Sequence, residues 1–234
     1  MKRKFFLWTA SVLLLGVCVG GFLYWSAASG PALSEEAIRE LALTDMSAAL
    51  RAAERRRAAA PHDASAALLL GGFYEMSGTD KKAEKVYADA TRANPGEPML
   101  FFYLGRVRYR LNKIDPAIES LIQFQKMAAR QAAYEKEREA ASLLLGEIYL
   151  DFTKEYRKAA IQLKNALDID PANADARYAL ATAYAYSNQT ASAFKEFETV
   201  IRENPGTELA QYAENAMQYV RERRNPTKSR YLKP

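Results

Sequence analysis

Residues 61–95 read PHDASAALLLGGFYEMSGTDKKAEKVYADATRANP, and the fold is decided by what recurs in this stretch. Its two halves carry apolar residues at helical spacing, with Gly78 between them where a helix must end. Pro61 and Pro95 stand 34 residues apart, as do Pro171 and Pro205, so a two-helix unit recurs with that period. In the first unit the small residues Gly71 and Ala83 alternate with the rings of Tyr74 and Tyr87. Ala181, Tyr184, Ala193 and Phe197 repeat the alternation in the last. Small residues let helix backbones approach, and the rings fill the space that remains.

Two modified units lie between. Residues 98–131 keep Phe101, Leu104, Gly105, Ala117 and Leu121 but place Arg108 where a ring is expected. Residues 139–172 keep Leu145, Gly146, Tyr149, Ala159, Leu163, Ala166 and Pro171, provided one extra residue is accepted in the turn between the helices. Gly78, Asn112 and Asn188 end first helices and are residue types that tolerate a left-handed backbone. Asp115-Pro116 reads as a cap followed by proline at the first helical position. Residues 132–138 form a helical insertion. With no Gly or Pro from Leu121 to Leu145, one continuous helix is expected to run through it and project from the stack.

At the matched positions Leu70, Gly71, Tyr74, Ala83, Tyr87, Ala90 and Pro95, and again at Leu180, Ala181, Tyr184, Ala193, Phe197, Val200 and Pro205, the chain resembles the tetratricopeptide-repeat (TPR) family. The resemblance covers 64–97, 98–131, 139–172 and 174–207. It implies an all-α TPR helical-repeat superhelix, an α-α solenoid. Residues 34–60 are a helical segment or a degenerate first repeat, which Thr44-Asp45 divides. Residues 208–224 read as a capping helix that closes the last apolar face, and 225–234 as a basic, solvated tail.

The resemblance further implies a concave groove lined by first helices, one residue after the core positions. Those positions are Leu68, Phe102, Arg106, Tyr109, Leu143, Glu147, Tyr178, Thr182 and Tyr186. Aromatic residues and arginine carry much of the energy of protein interfaces, so protein partners are expected there. The Lys and Asn set with which some relatives clamp a terminal carboxylate is absent from these positions.

The N-terminus is a second, separate feature. Residues 1–4 form a basic tip, and 5–25 read FFLWTASVLLLGVCVGGFLYW, an uncharged run about 30 Å long as a helix. A transmembrane helix is the expected reading, with 26–33 as linker. Lys2, Arg3 and Lys4 keep the tip cytoplasmic, so the repeat domain is expected in the periplasm of a single-pass inner-membrane protein. Ser26, Ala27 and Ala28 leave a cleaved signal open, and Leu15-Gly16-Val17-Cys18 leaves a lipid attachment open.

Composition excludes several chemistries. One cysteine, Cys18, and one histidine, His62, supply neither a thiolate cluster nor a protease triad, so no metal and no cofactor are expected. The net charge of +5 comes from the two ends of the chain rather than from a basic stripe, so nucleic acid is not an expected partner. Glu75, Glu147 and Asp151 would be the carboxylates of an enzyme. At that spacing solvated surface acids are the ordinary case. The expected function is a non-enzymatic scaffold or assembly factor for envelope complexes. The alternatives are self-association through the repeats and an accessory subunit of an envelope enzyme.

Overall fold

The computed structural model describes residues 33–129 and 131–222. The expected transmembrane segment, 5–25, and the basic tail, 225–234, therefore lie outside the described residues. Among the described residues no helix is long and apolar enough to cross a membrane. The chain divides into two compact units, meeting in sequence at Leu111 and Asn112.

Unit 1 holds α1 (Glu35–Ala42), α2 (Met46–Ala59), α3 (Ala64–Met76), α4 (Asp80–Ala93) and α5 (Pro98–Arg110). Side chains that accept from backbone amides start four of them: Ser34 from Ala37, Asp45 from Ala48, Asp63 from Ser65, and Glu97 from Met99. The Thr44-Asp45 division is thus a real break between two helices. α2 has a weakly apolar face, and its contribution to the core is the alanine stripe Ala48, Ala49, Ala52 and Ala53. Alanines there let α1 and α3 come near, with Ile38, Leu41, Leu70 and Phe73 closing around them.

α3 and α4 approach closely at Gly71. A Cβ built on Gly71 would stand 2.2 Å from the Tyr87 ring, so the ring occupies the space that any side chain at 71 would need. Tyr87 is fully buried. Burying a ring of this size stabilises the fold by roughly 1.5–3 kcal/mol. Gly72, one residue on, meets nothing within 4 Å.

Unit 2 holds α6 (Ile114–Ala128), α7 (Glu135–Glu147), α8 (Tyr156–Ile169), α9 (Ala174–Tyr186), α10 (Thr190–Glu203) and α11 (Glu208–Arg221). Gly146 plays the part of Gly71, since its Cβ would lie 2.7 Å from Leu163 Cγ. Phe197 and Val200 of α10 fill the corresponding space beside Tyr178 and Ala181 of α9. Ala213 and Ala216 of α11 close that end of the core. Gly78, Asn112 and Asn188 are left-handed, with φ of 69, 57 and 62°, and Lys154 joins them at 59°.

Three local expectations need correction. No continuous helix runs through 132–138. α6 stops at Ala128, a 3-10 turn spans Ala132–Tyr134, and α7 begins at Glu135. The break is held by tertiary contacts: Tyr134 meets Phe124 edge-on at 6.4 Å, and Arg138 Nη1 donates to the Ala129 carbonyl at 2.9 Å. Helix propensity favoured continuity, but the ring contact and the capped carbonyl favour a turn.

The extra residue of the third repeat is not in the turn. Residues Ile148–Phe152 form a π-helical turn at the end of α7. In the first and last repeats the amides of Thr79 and Gln189 donate to the carbonyls of Tyr74 and Tyr184, five residues back. In the third, Glu155 donates to Tyr149 at 2.8 Å, six residues back, so the insertion is absorbed as a wider helical turn. Asp115-Pro116 is likewise not a cap and first position. α6 starts at Ile114, with Lys113 between it and left-handed Asn112, and Pro116 sits in its first turn, where the amide it lacks is not needed.

The paired glycines give a direct test. Gly71→Ala is expected to destabilise the chain by about 1–3 kcal/mol through displacement of Tyr87. Gly72→Ala should be neutral or stabilising by up to about 1 kcal/mol through helix propensity. Urea unfolding of the two variants checks the pair.

Candidate protein-binding grooves

Each unit carries its own concavity on the face formed by first helices, and the two differ in chemistry. In unit 1 a recess of about 400 Å³ is lined by α1, α3, α4 and α5, with Leu68, Gly72, Phe73, Met99 and Tyr103 as its apolar wall. Gly72, lacking a side chain, keeps this wall open. Met76, on the rim, is 70% exposed.

The charged groups of this recess are engaged with one another. Glu75 has a 7% exposed side chain and accepts from Arg106 Nη2 at 2.7 Å and Arg110 Nη1 at 2.8 Å. It also accepts from the Tyr87 hydroxyl at 2.7 Å. Arg110 forks onto Asp80 at 2.6 and 2.9 Å, and this contact holds the Asp80 carboxyl below its ordinary range. Burial, then the neighbouring Glu75, pushes the Tyr87 hydroxyl far up, so it remains a donor. Arg106 also lies over the Tyr103 ring at 4.6 Å. The network ties α5 to α3 and α4, so its first job is structural. Arg108, standing at the ring position, makes a part-buried ion pair with Glu84 at 3.7 Å.

Unit 2 presents a larger recess of about 770 Å³ between α7, its π turn, α9 and α11. Leu150, Tyr178, Leu209 and Tyr212 make its apolar surface, and Glu147, Asp151, Asp175 and Glu208 its charged one. Among the described residues no lysine or arginine lines it. Two of the carboxylates have a local reason to be there, since Asp175 and Glu208 occupy first turns of helices, where negative charge is favoured.

Glu147 and Asp151 have none. They stand one turn apart at the carboxyl end of α7 and its extension, where the helix dipole and their mutual repulsion both disfavour them. Glu147 is solvent-exposed by area, yet enough protein crowds its carboxyl that burial, and then Asp151, raises its pKa. Burial also pushes the Tyr178 hydroxyl up to about 12. Among the described residues no group of three metal-ligating side chains comes together.

The nine expected groove residues divide accordingly. Leu68 and Arg106 line the first recess, and Glu147, Tyr178 and Thr182 the second. Phe102 is buried at 6% exposure and packs edge-on against Tyr103, so it supports the wall rather than forming it. Thr182 is 2% exposed and its hydroxyl donates to the Tyr178 carbonyl at 3.0 Å, as a helix-internal bond. Tyr186 stacks on Tyr156 at 4.8 Å. Tyr109 and Leu143 are half-buried and line neither recess. Sequence reasoning missed Gly72, Asp175, Glu208 and Tyr212. The last two belong to α11, whose sequence pattern reads only as a cap.

Helix hairpins with small-on-large packing and left-handed turns define a helical-repeat protein of the TPR class. Family models described as Tetratricopeptide repeat match residues 34–98 and 153–216, together more than half of the chain, which therefore belongs to the tetratricopeptide-repeat family. The first match takes in α1 and α2. No curated protein matches it.

Among solved structures, the chain is similar to YrrB, a TPR protein with an unusual peptide-binding site. The TM-score is 0.65 at 21% identity, over 79% of this chain and 92% of that one. It is similar to MamA with TM-score 0.61 at 21% identity, over 70% and 92%. It is also similar to pilF of Pseudomonas aeruginosa with TM-score 0.62 at 14% identity, over 80% and 84%. At these identities the likeness is one of fold.

Glu147 yields a pH test. The folded chain holds its proton more tightly than the unfolded chain, so its charge destabilises the fold as pH rises through the folded pKa. Glu147→Gln should therefore raise the urea midpoint at neutral pH, and the gain should vanish below the ordinary glutamate pKa of about 4.3. A gain that stays constant with pH would remove charge burial as its cause.

Proposed function

We propose that this chain is a non-enzymatic scaffold that holds segments of partner proteins in its concave recesses, anchored in the inner membrane through residues 5–25 with the repeats in the periplasm. The observation that carries the binding reading is the unit 2 recess. It joins the exposed Tyr212 and the part-exposed Leu209 to carboxylates that make no ion pair among the described residues. A site built this way costs stability in the free chain and is repaid only when something fills it. YrrB, a similar fold, is described as having a peptide-binding site, which supports the same use of this architecture. The anchor rests on the uncharged run and on the basic tip before it.

A second reading is self-association. It is favoured by Leu43 and Met76, which expose 85% and 70% of their surface in unit 1. One experiment separates the two. A photoreactive residue is placed at Leu68, Tyr212 or Glu198 of the full chain in membranes. Glu198 is exposed and lies outside both recesses. Adducts with another protein from Leu68 and Tyr212, and none from Glu198, are expected. Adducts of twice the chain's mass would favour self-association, and equal labelling from all three positions would end the groove reading. Deletion of residues 1–25 should release the chain from the membrane pellet. Retention there would end the anchor.

A further inference from the structure

The charged lining of the unit 2 recess asks for a cation, and the chain carries a matching segment of its own. Residues 223–234 read RRNPTKSRYLKP, with Arg223, Arg224, Lys228, Arg230 and Lys233 and no acidic residue. Tyr231 and Leu232 add an aromatic and an aliphatic side chain in the middle of that charge. The recess offers the complement: Glu147, Asp151, Asp175 and Glu208 around Leu209 and Tyr212.

We propose that this basic tail occupies the unit 2 recess of its own chain and must be displaced when a partner binds. The proposal rests on the recess being the partner-binding site, and adds its regulation.

Three arguments carry it. The first is charge: the four carboxylates make no ion pair among the described residues, and Glu147 and Asp151 sit where the helix end and each other disfavour them. Arg or Lys brought between them reverses the sign of that interaction. The second is reach. Tyr212 at the recess and Arg221 at the end of α11 are about 14 Å apart along the helix. From Arg221 to Leu232 the chain can span up to about 36 Å, so the tail is long enough to reach the recess with slack.

The third is effective concentration. A short tether holds a segment at on the order of 1 mM near its site. Even a weak intrinsic Kd of about 0.1 mM then leaves the recess about nine-tenths filled and weakens any competitor about tenfold. A partner that binds more tightly still displaces it, so the tail screens out weak, non-specific basic segments.

The test uses the full chain. In a Cys18→Ser background, Tyr212→Cys and Leu232→Cys are oxidised at low salt and low protein concentration. A disulfide within one chain is expected. Its rate should fall at least about tenfold when Glu147→Gln, Asp151→Asn, Asp175→Asn and Glu208→Gln are added. Disulfides formed only between chains, rising with concentration, would overturn the proposal in favour of a second copy.

A second arm leaves the recess untouched. A labelled peptide of residues 223–234 is titrated into the parent chain and into a full chain whose five basic tail residues are glutamine. Binding to the neutralised chain, about tenfold weaker in the parent, is expected. Equal affinity for both, or no binding to either, overturns tail occupancy. Partner adducts from position 212 would in that case still stand for the groove itself, so the two readings fail separately.

Discussion

The fold depends on one steric bargain: a missing side chain on a first helix lets a large side chain of the second lie against bare backbone. Gly71 and Tyr87 make it in unit 1, and Gly146 and Leu163 in unit 2. Dispersion falls away within a fraction of an ångström, so filling the gap from either side forfeits contact on the other. The bargain also sets the electrostatics of unit 1. With Tyr87 seated over Gly71, its hydroxyl arrives at Glu75, and Glu75 in turn gathers Arg106 and Arg110 from the next repeat.

That network explains why two recesses of similar origin differ in chemistry. In unit 1 a buried carboxylate is matched by two guanidiniums and a phenol, each with its own further contacts, and the polar groups are satisfied before any partner arrives. In unit 2 the corresponding wall carries Glu147 and Asp151 with no arginine among the described residues to receive them. The π turn contributes to this. By widening the end of α7 it places Leu150 and Asp151 on the recess and still lets Glu155 reach the Tyr149 carbonyl, so the hairpin closes as in its neighbours. An inserted residue has been converted into recess surface without loss of the repeat.

Most of the repeat pattern was legible because it is written in residue size. Gly71, Tyr74, Ala83 and Tyr87 announce a helix pair whatever surrounds them, and left-handed Gly78, Asn112 and Asn188 are where their residue types require. The site was less legible. A position one residue beyond the core can face outward, as Glu147 does, or be buried, as Phe102 and Thr182 are. A rotation of a few tens of degrees decides between them, and local periodicity does not fix that angle. Asp175, Glu208 and Tyr212 were invisible as a set because they meet Glu147 only across helices distant in sequence.

The sequence by itself determined the helix pairs, their turns and the class of protein, because each follows from contacts between residues close along the chain. Only the tertiary structure decided where α6 ends and how the extra residue of the third repeat is absorbed. It alone also decided which carboxylates find a cation. The break near Ala128 runs against propensity, and Tyr134 on Phe124 is what favours it. Charge satisfaction is likewise set by distance in space: Arg106 lies 31 residues beyond Glu75 and touches it, while Glu147 meets no cation at all among the described residues.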